Sequence, residues 1–171
     1  LFKHYEAINN SVNTPIILYN VPSRTGVNIT AKQLLELSKL ENIVAIKEAS
    51  GDITQITEMK ALCEDQIDIY SGNDDQIVPI MSLGGIGVIS VLANIMPKEV
   101  HDMAYAYLNG DPATALKIQL NTFSLVKMLF IETNPIPVKT ALNFMGKEVG
   151  DFRLPLYEMD NSNMNLLKDT L

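Results

Sequence analysis

The sequence predicts an α/β chain in which four parallel βα units are followed by helices alone. Four short apolar runs, at residues 16–19, 43–46, 67–70 and 87–91, are too short for helices, rich in β-branched residues and bounded by turn chemistry, as buried strands are. The segments between them carry helical periodicity and are long enough for parallel crossovers. After the fourth run the pattern stays helical to residue 171. Two architectures fit. An open doubly wound sheet would be complete at this length, whereas a (β/α)8 barrel needs about 250 residues and would here be cut in half.

The chain opens Leu1-Phe2-Lys3-His4-Tyr5, without an initiator Met and already in helical periodicity, which reads as a fragment of a longer polypeptide. After the first strand, Asn20-Val21-Pro22-Ser23-Arg24-Thr25-Gly26 is not the G-x-G-x-x-G of a dinucleotide fold. Thr30 with Gln33, and Asp52 with Gln55, have capping-box spacing at the starts of the next two helices. Asn73-Asp74-Asp75 supplies N-cap candidates for the third. Gly84-Gly85-Ile86-Gly87 precedes the fourth strand, away from the face where active residues gather, so it predicts a tight helix-to-strand turn and no phosphate loop. Pro97 and Gly110 bracket one helix, and Asp111-Pro112 opens a longer one reaching about residue 131. A Pro-rich turn, Asn134-Pro135-Ile136-Pro137, leads to a helix ending near Gly146, and a last helix starts at about Asn161.

Composition narrows the function. With 13 Lys+Arg against 20 Asp+Glu the net charge is −7, and the basic residues are scattered, which argues against a nucleic-acid surface. Hydrophobic residues at 47% and charged residues at 19% are enough to build a core. No apolar run reaches the roughly 18–20 residues that span a bilayer, and no secretory pattern opens the chain, so no membrane partner and a cytoplasmic location are expected. The single Cys63 reads as a small buried hydrophobe. His4 and His101 are far apart in sequence and lack spaced ligand partners, so no metal site is expected.

In either architecture active residues belong at the C-terminal ends of the strands, where Tyr19, Lys47 and Gly72 fall. Lys47 ends an apolar run, and burial there would lower its pKa. Neutralising a lysine at pH 7 takes a shift of about three units, roughly 4 kcal/mol, and the neutral amine can attack a ketone. The alternative is a lysine that snorkels into solvent. Glu48 points to the opposite strand face and reads as a structural anchor. Tyr19, if its face is the interior one, would stand level with Lys47 and could relay protons; otherwise it is an amphipathic rim residue. Arg24, in the loop above, has a planar fork suited to a carboxylate, though a lone loop arginine is also an ordinary solvated group.

Five motifs then carry a resemblance through the whole chain: Tyr19-Asn20-Val21-Pro22-Ser23-Arg24-Thr25-Gly26, Ile46-Lys47-Glu48-Ala49-Ser50-Gly51-Asp52, Ser71-Gly72-Asn73-Asp74, Gly84-Gly85-Ile86-Gly87-Val88-Ile89-Ser90 and Asn134-Pro135-Ile136-Pro137-Val138-Lys139. In this order they resemble the dihydrodipicolinate synthase family, and match the later part of its polypeptide. The resemblance implies the second half of a (β/α)8 TIM barrel at residues 1–110 and a C-terminal helical domain at 111–171, without the first barrel strands. It implies a class I aldolase-type carbon–oxygen lyase of lysine and diaminopimelate biosynthesis, a homotetramer that condenses pyruvate with aspartate 4-semialdehyde and needs no cofactor. Lys47 would form the Schiff base, Tyr19 would relay protons, Arg24 would engage the semialdehyde carboxylate, and Gly72 and Ile89 would line the pyruvate pocket. The threonine pair and second tyrosine of the family's relay belong to the part not matched, so the isolated chain is expected to have little activity. N-acetylneuraminate lyase and the keto-deoxy-sugar acid aldolases of the same superfamily, or a catalytically dead assembly module, are the alternatives.

Overall fold

The computed structural model describes residues 1–171, which divide into two compact units, Leu1–Ile89 and Ser90–Leu171. In the first, helix α1 (Phe2–Asn9) leads to β1 (Ile16–Asn20), a short α2 (Pro22–Thr25), α3 (Ala31–Leu37), β2 (Ile43–Glu48), α4 (Ile53–Cys63), β3 (Asp68–Ser71), a 3-10 turn (Asp74–Gln76), α5 (Ile77–Ser82) and β4 (Gly87–Val88). The strands pair in parallel in the order β1-β2-β3-β4. A doubly wound sheet reverses its strand order at a switch point, and this sheet advances in one direction throughout, which is the winding of a barrel segment.

Alternation decides what each strand residue meets. Leu18, Ile46 and Ile69 point to one face, where Leu34 and Leu37 of α3, Ile56, Met59 and Cys63 of α4 and Ile80 of α5 bury them in a single core. Each large side chain so buried contributes on the order of 1.5–3 kcal/mol. The helices begin largely where local chemistry places them. The Thr30–Gln33 capping box is complete, with Gln33 N–H donating to Thr30 Oγ1 and Thr30 N–H to Gln33 Oε1. Asp52 makes half of one: it accepts from Gln55 N–H, but the Gln55 side chain bonds Asn28 instead. Asn73 makes no side-chain cap, and the chain turns through Asp74–Gln76 before α5 starts.

The fourth strand is shorter than its apolar run predicts. Only Gly87–Val88 lies in the ladder, and Ile89 N–H adds one further bond to the Ser71 carbonyl. Ser90 Oγ then accepts from Ala93 N–H at the entry of a 3-10 turn, Leu92–Asn94, so the local hydroxyl bond replaces strand pairing. The glycine-rich stretch before β4 is the tight turn the sequence predicts: Gly84 has φ +92°, and a Cβ on Gly85 would lie 2.9 Å from the Ile80 carbonyl oxygen.

The second unit is helical: α6 (Pro97–Leu108), α7 (Pro112–Leu129), α8 (Ile136–Phe144) and α9 (Asn161–Thr170). Gly110 at φ +85° ends the first of these, and Asp111 caps the next through Thr114 N–H. Leu92, Met103, Ala115, Leu129, Ala141 and Leu167 are its fully buried residues. No helix is long and apolar enough to cross a membrane.

Candidate active site

The C-terminal rim of the sheet is assembled by register. β1 and β2 start paired at Ile16 and Ile43, but a bulge shifts the next pair to Ile17 and Ala45, leaving Val44 as the extra residue. An unbulged ladder would have set Tyr19 opposite Ile46. The bulged one sets Tyr19 opposite Lys47, and the pairing of Lys47 with Tyr70 on β3 then puts a phenol on each side of the lysine. Lys47 Nζ lies over the Tyr19 ring, 4.3 Å from its centroid, so the amine meets the π face of Tyr19.

Three influences act on this amine, and one opposes the other two. Burial, the largest, pulls the Lys47 pKa below its ordinary 10.5, and the Arg24 charge pushes in the same direction, while the Asp74 carboxylate pulls it back up. The net effect is a lowered pKa, which enlarges the nucleophilic neutral fraction. Asp74 is 3% exposed, a buried carboxylate. It stands just past β3, where it acts on Lys47. Cys63 is buried in the core, which pushes its thiol up and away from nucleophilic chemistry. His4 and His101 are exposed on α1 and α6.

Gly72 follows β3 on the same rim. Its N–H donates to the Glu48 carbonyl at 2.7 Å, and an added Cβ would lie 2.6 Å from Ala49 Cβ and 2.9 Å from the Glu48 oxygen, so only glycine lets β3 approach the Lys47 strand this closely. Ile89, one residue past β4, shares the face of Tyr70 and is 38% exposed. Arg24 sits in the last turn of α2, whose end is fixed by Gly26 in the left-handed conformation at φ +68°. Tyr19, Lys47, Arg24, Gly72 and Ile89 therefore all belong to the first unit. Tyr70 and Asp74 join them. Alternation along the third run puts Tyr70 on a strand, but its pairing with Lys47 depends on register. Asp74 hid in an acidic run that also reads as helix-capping.

The Asn134-to-Lys139 motif belongs to the second unit, where it forms the entry and first turn of α8. Ile136 N–H donates to the Thr133 carbonyl, and Lys139 Nζ donates to the Asp151 carbonyl and lies over the Phe152 ring. Lys139 is thus engaged within the helical unit.

Comparison with known proteins gives the same answer in sequence and in structure. The model of the dihydrodipicolinate synthetase family matches residues 1–171. The chain is 67% identical over 172 residues to 4-hydroxy-tetrahydrodipicolinate synthase from Clostridium tetani, an alignment that takes in 100% of this chain and 58% of that protein. Its structure is similar to the crystal structure of dihydrodipicolinate synthase from Aquifex aeolicus, with a TM-score of 0.95 and 43% identity over 98% of this chain and 58% of that one. It is also similar to the chloride-inhibited dihydrodipicolinate synthase from Acinetobacter baumannii complexed with pyruvate, with a TM-score of 0.94 and 37% identity over 99% and 58% of the two chains. The chain thus spans somewhat more than half the length of these relatives.

Proposed function

Because the chain belongs to the dihydrodipicolinate synthetase family, we propose that it carries the imine-forming part of a 4-hydroxy-tetrahydrodipicolinate synthase. In this reading it is the second half of a (β/α)8 barrel, residues 1–110, with a helical domain at 111–171. The observation that carries the reading is Lys47 at the strand rim, its pKa lowered chiefly by burial and its amine against the Tyr19 ring.

The neutral Lys47 amine attacks the ketone carbon of pyruvate, and loss of water leaves a protonated imine. That cation draws electrons from the neighbouring methyl carbon, which gives up a proton to form an enamine. The enamine carbon then bonds to the aldehyde carbon of aspartate 4-semialdehyde. Tyr19 relays protons in these steps. Arg24 holds the semialdehyde carboxylate by its planar fork, and Gly72 and Ile89 line the space for pyruvate. Both substrates are small water-soluble acids, in keeping with a cytoplasmic enzyme. Assembly into a homotetramer is part of the reading, supported by the exposed apolar line Leu116, Leu120 and Phe123 on α7.

The outer strands β1 and β4 each have one neighbour in the sheet, and the face bearing Lys47 is open, so residues 1–171 alone should condense these substrates poorly. Mixing the chain with the complementary part of the Clostridium tetani relative should restore condensation and produce a species larger than a single pair on sedimentation. Full activity of residues 1–171 alone would contradict the half-barrel reading. An inactive but assembled mixture would contradict the enzymatic one.

A further inference from the structure

Asn20 and Glu48 each follow a site residue in sequence, and the register pairs them as it pairs Tyr19 with Lys47. Alternation turns their side chains to the helix-covered face, where both are completely buried. Asn20 Nδ2 donates to Glu48 Oε2 at 2.9 Å and to Asn28 Oδ1 at 2.9 Å. Asn20 Oδ1 accepts from Ile29 N–H at 2.8 Å, and Glu48 Oε1 accepts from Ser50 N–H at 2.6 Å. Both side chains are therefore satisfied by directional bonds. Those bonds tie together the ends of β1 and β2 and the root of the loop that leaves at Asn20, carries Arg24 and returns at Ile29.

Packing alone does not call for such a pair, since two apolar side chains of the same shape would fill the space without polar atoms to satisfy. Register does call for it. The ladder that begins at Ile16 and Ile43 would, without the bulge, carry Tyr19 past Lys47 to Ile46, and a slip of one residue turns a strand's side chains to the wrong face. A bond that exists only when Asn20 stands opposite Glu48 favours the bulged register over the slipped one. We propose that Asn20 and Glu48 are positioning residues, whose hydrogen bond selects the register that sets Tyr19 against Lys47 and anchors the Arg24 loop. This rests on the reading of Lys47 as the imine-forming residue.

The bond can be broken and rebuilt without changing size. Asn20→Asp sets two carboxyl groups together, and Glu48→Gln sets two amide donors together. The double variant N20D/E48Q reverses the bond, with the new Gln donating to the new Asp, the Ser50 and Ile29 donors still accepted, and a flipped Asn28 amide donating to position 20. On residues 1–171 with ¹³C-dimethylated lysines, the Lys47 methyl signal, identified by its loss in Lys47→Arg, should lie upfield because of the Tyr19 ring. Each single variant should lose at least half of that displacement and, in separate samples with unmethylated lysines, slow borohydride trapping of pyruvate about 10- to 100-fold. The double variant should regain the displacement and trap within about twofold of the parent. Single variants that keep both the displacement and the rate would overturn the proposal. So would a folded double variant lacking the displacement, and if the single variants fail to fold that double variant decides alone. A parent chain that traps no pyruvate even when mixed with the complementary part of the Clostridium tetani relative refutes the reading of Lys47 instead, and the methyl displacement still decides the register.

Discussion

Along β1, Leu18 and Asn20 are buried on the helix-covered face, while Ile17 and Tyr19, on the opposite face, stand 47% and 45% exposed. β2 repeats the contrast, with Ile46 and Glu48 fully buried and Lys47 only half-buried. One backbone thus serves two tasks in alternate residues. The covered face supplies cohesion through the core of α3, α4 and α5, and fixes the strand ends through Asn20 and Glu48. The open face holds groups whose packing is unfinished and whose chemistry is accessible. The proposed reactivity of Lys47 would then depend on rigidity arising one residue away.

Truncation should separate the two faces most sharply. Ile46→Ala leaves a cavity in a closed core and is expected to lower unfolding stability by about 2–5 kcal/mol. Ile17→Ala, which loses little buried contact, should cost less than about 1 kcal/mol. Denaturant unfolding of the two variants measures the difference, and equal losses would mean that the open face is packed as well as the covered one. Gly72→Ala, at the rim between the faces, should cost about 1–3 kcal/mol, because its Cβ would meet backbone and a short side chain that cannot swing away. A neutral result by the same measurement would show that β3 can retreat from Glu48 freely.

The smallest effects are electrostatic and confined to the open face. Asp74 raises the Lys47 pKa and Arg24 lowers it, so Asp74→Asn should move the titration of Lys47 to lower pH and Arg24→Ala to higher pH. The pH dependence of pyruvate trapping reads both, and shifts in the same direction would contradict the assignment. Stability follows the same proton. Between the lowered pKa and the ordinary 10.5, the unfolded chain binds more protons at Lys47 than the folded one, so this group's contribution to stability rises with pH across that window.

Much of this arrangement is legible in the sequence, because it depends on local chemistry. Short β-branched runs mark the strands, Thr30 and Gln33 mark a helix start, and an apolar run ending in lysine marks the rim. The turn at Gly84 and Gly85 and the opposite orientation of Glu48 are also local. What stays hidden depends on neighbours. The bulge at Val44 decides which residue faces Lys47, and nothing within either strand announces it. Asp74 reads as a cap because a cap and a buried carboxylate use the same residue type after a strand. The last apolar run looks like five residues of strand, but Ser90 offers the backbone a competing bond and the ladder ends early.

On this reading the accessible amine of Lys47, on the open face, is the group that bonds covalently to pyruvate. Residues 1–171 should be reduced with borohydride in the presence of pyruvate, digested, and mapped by mass. A pyruvate-derived adduct on the peptide containing Lys47, absent from Lys47→Arg, is the predicted result. An adduct on Lys139 or any other lysine, with Lys47 unmodified, would contradict it.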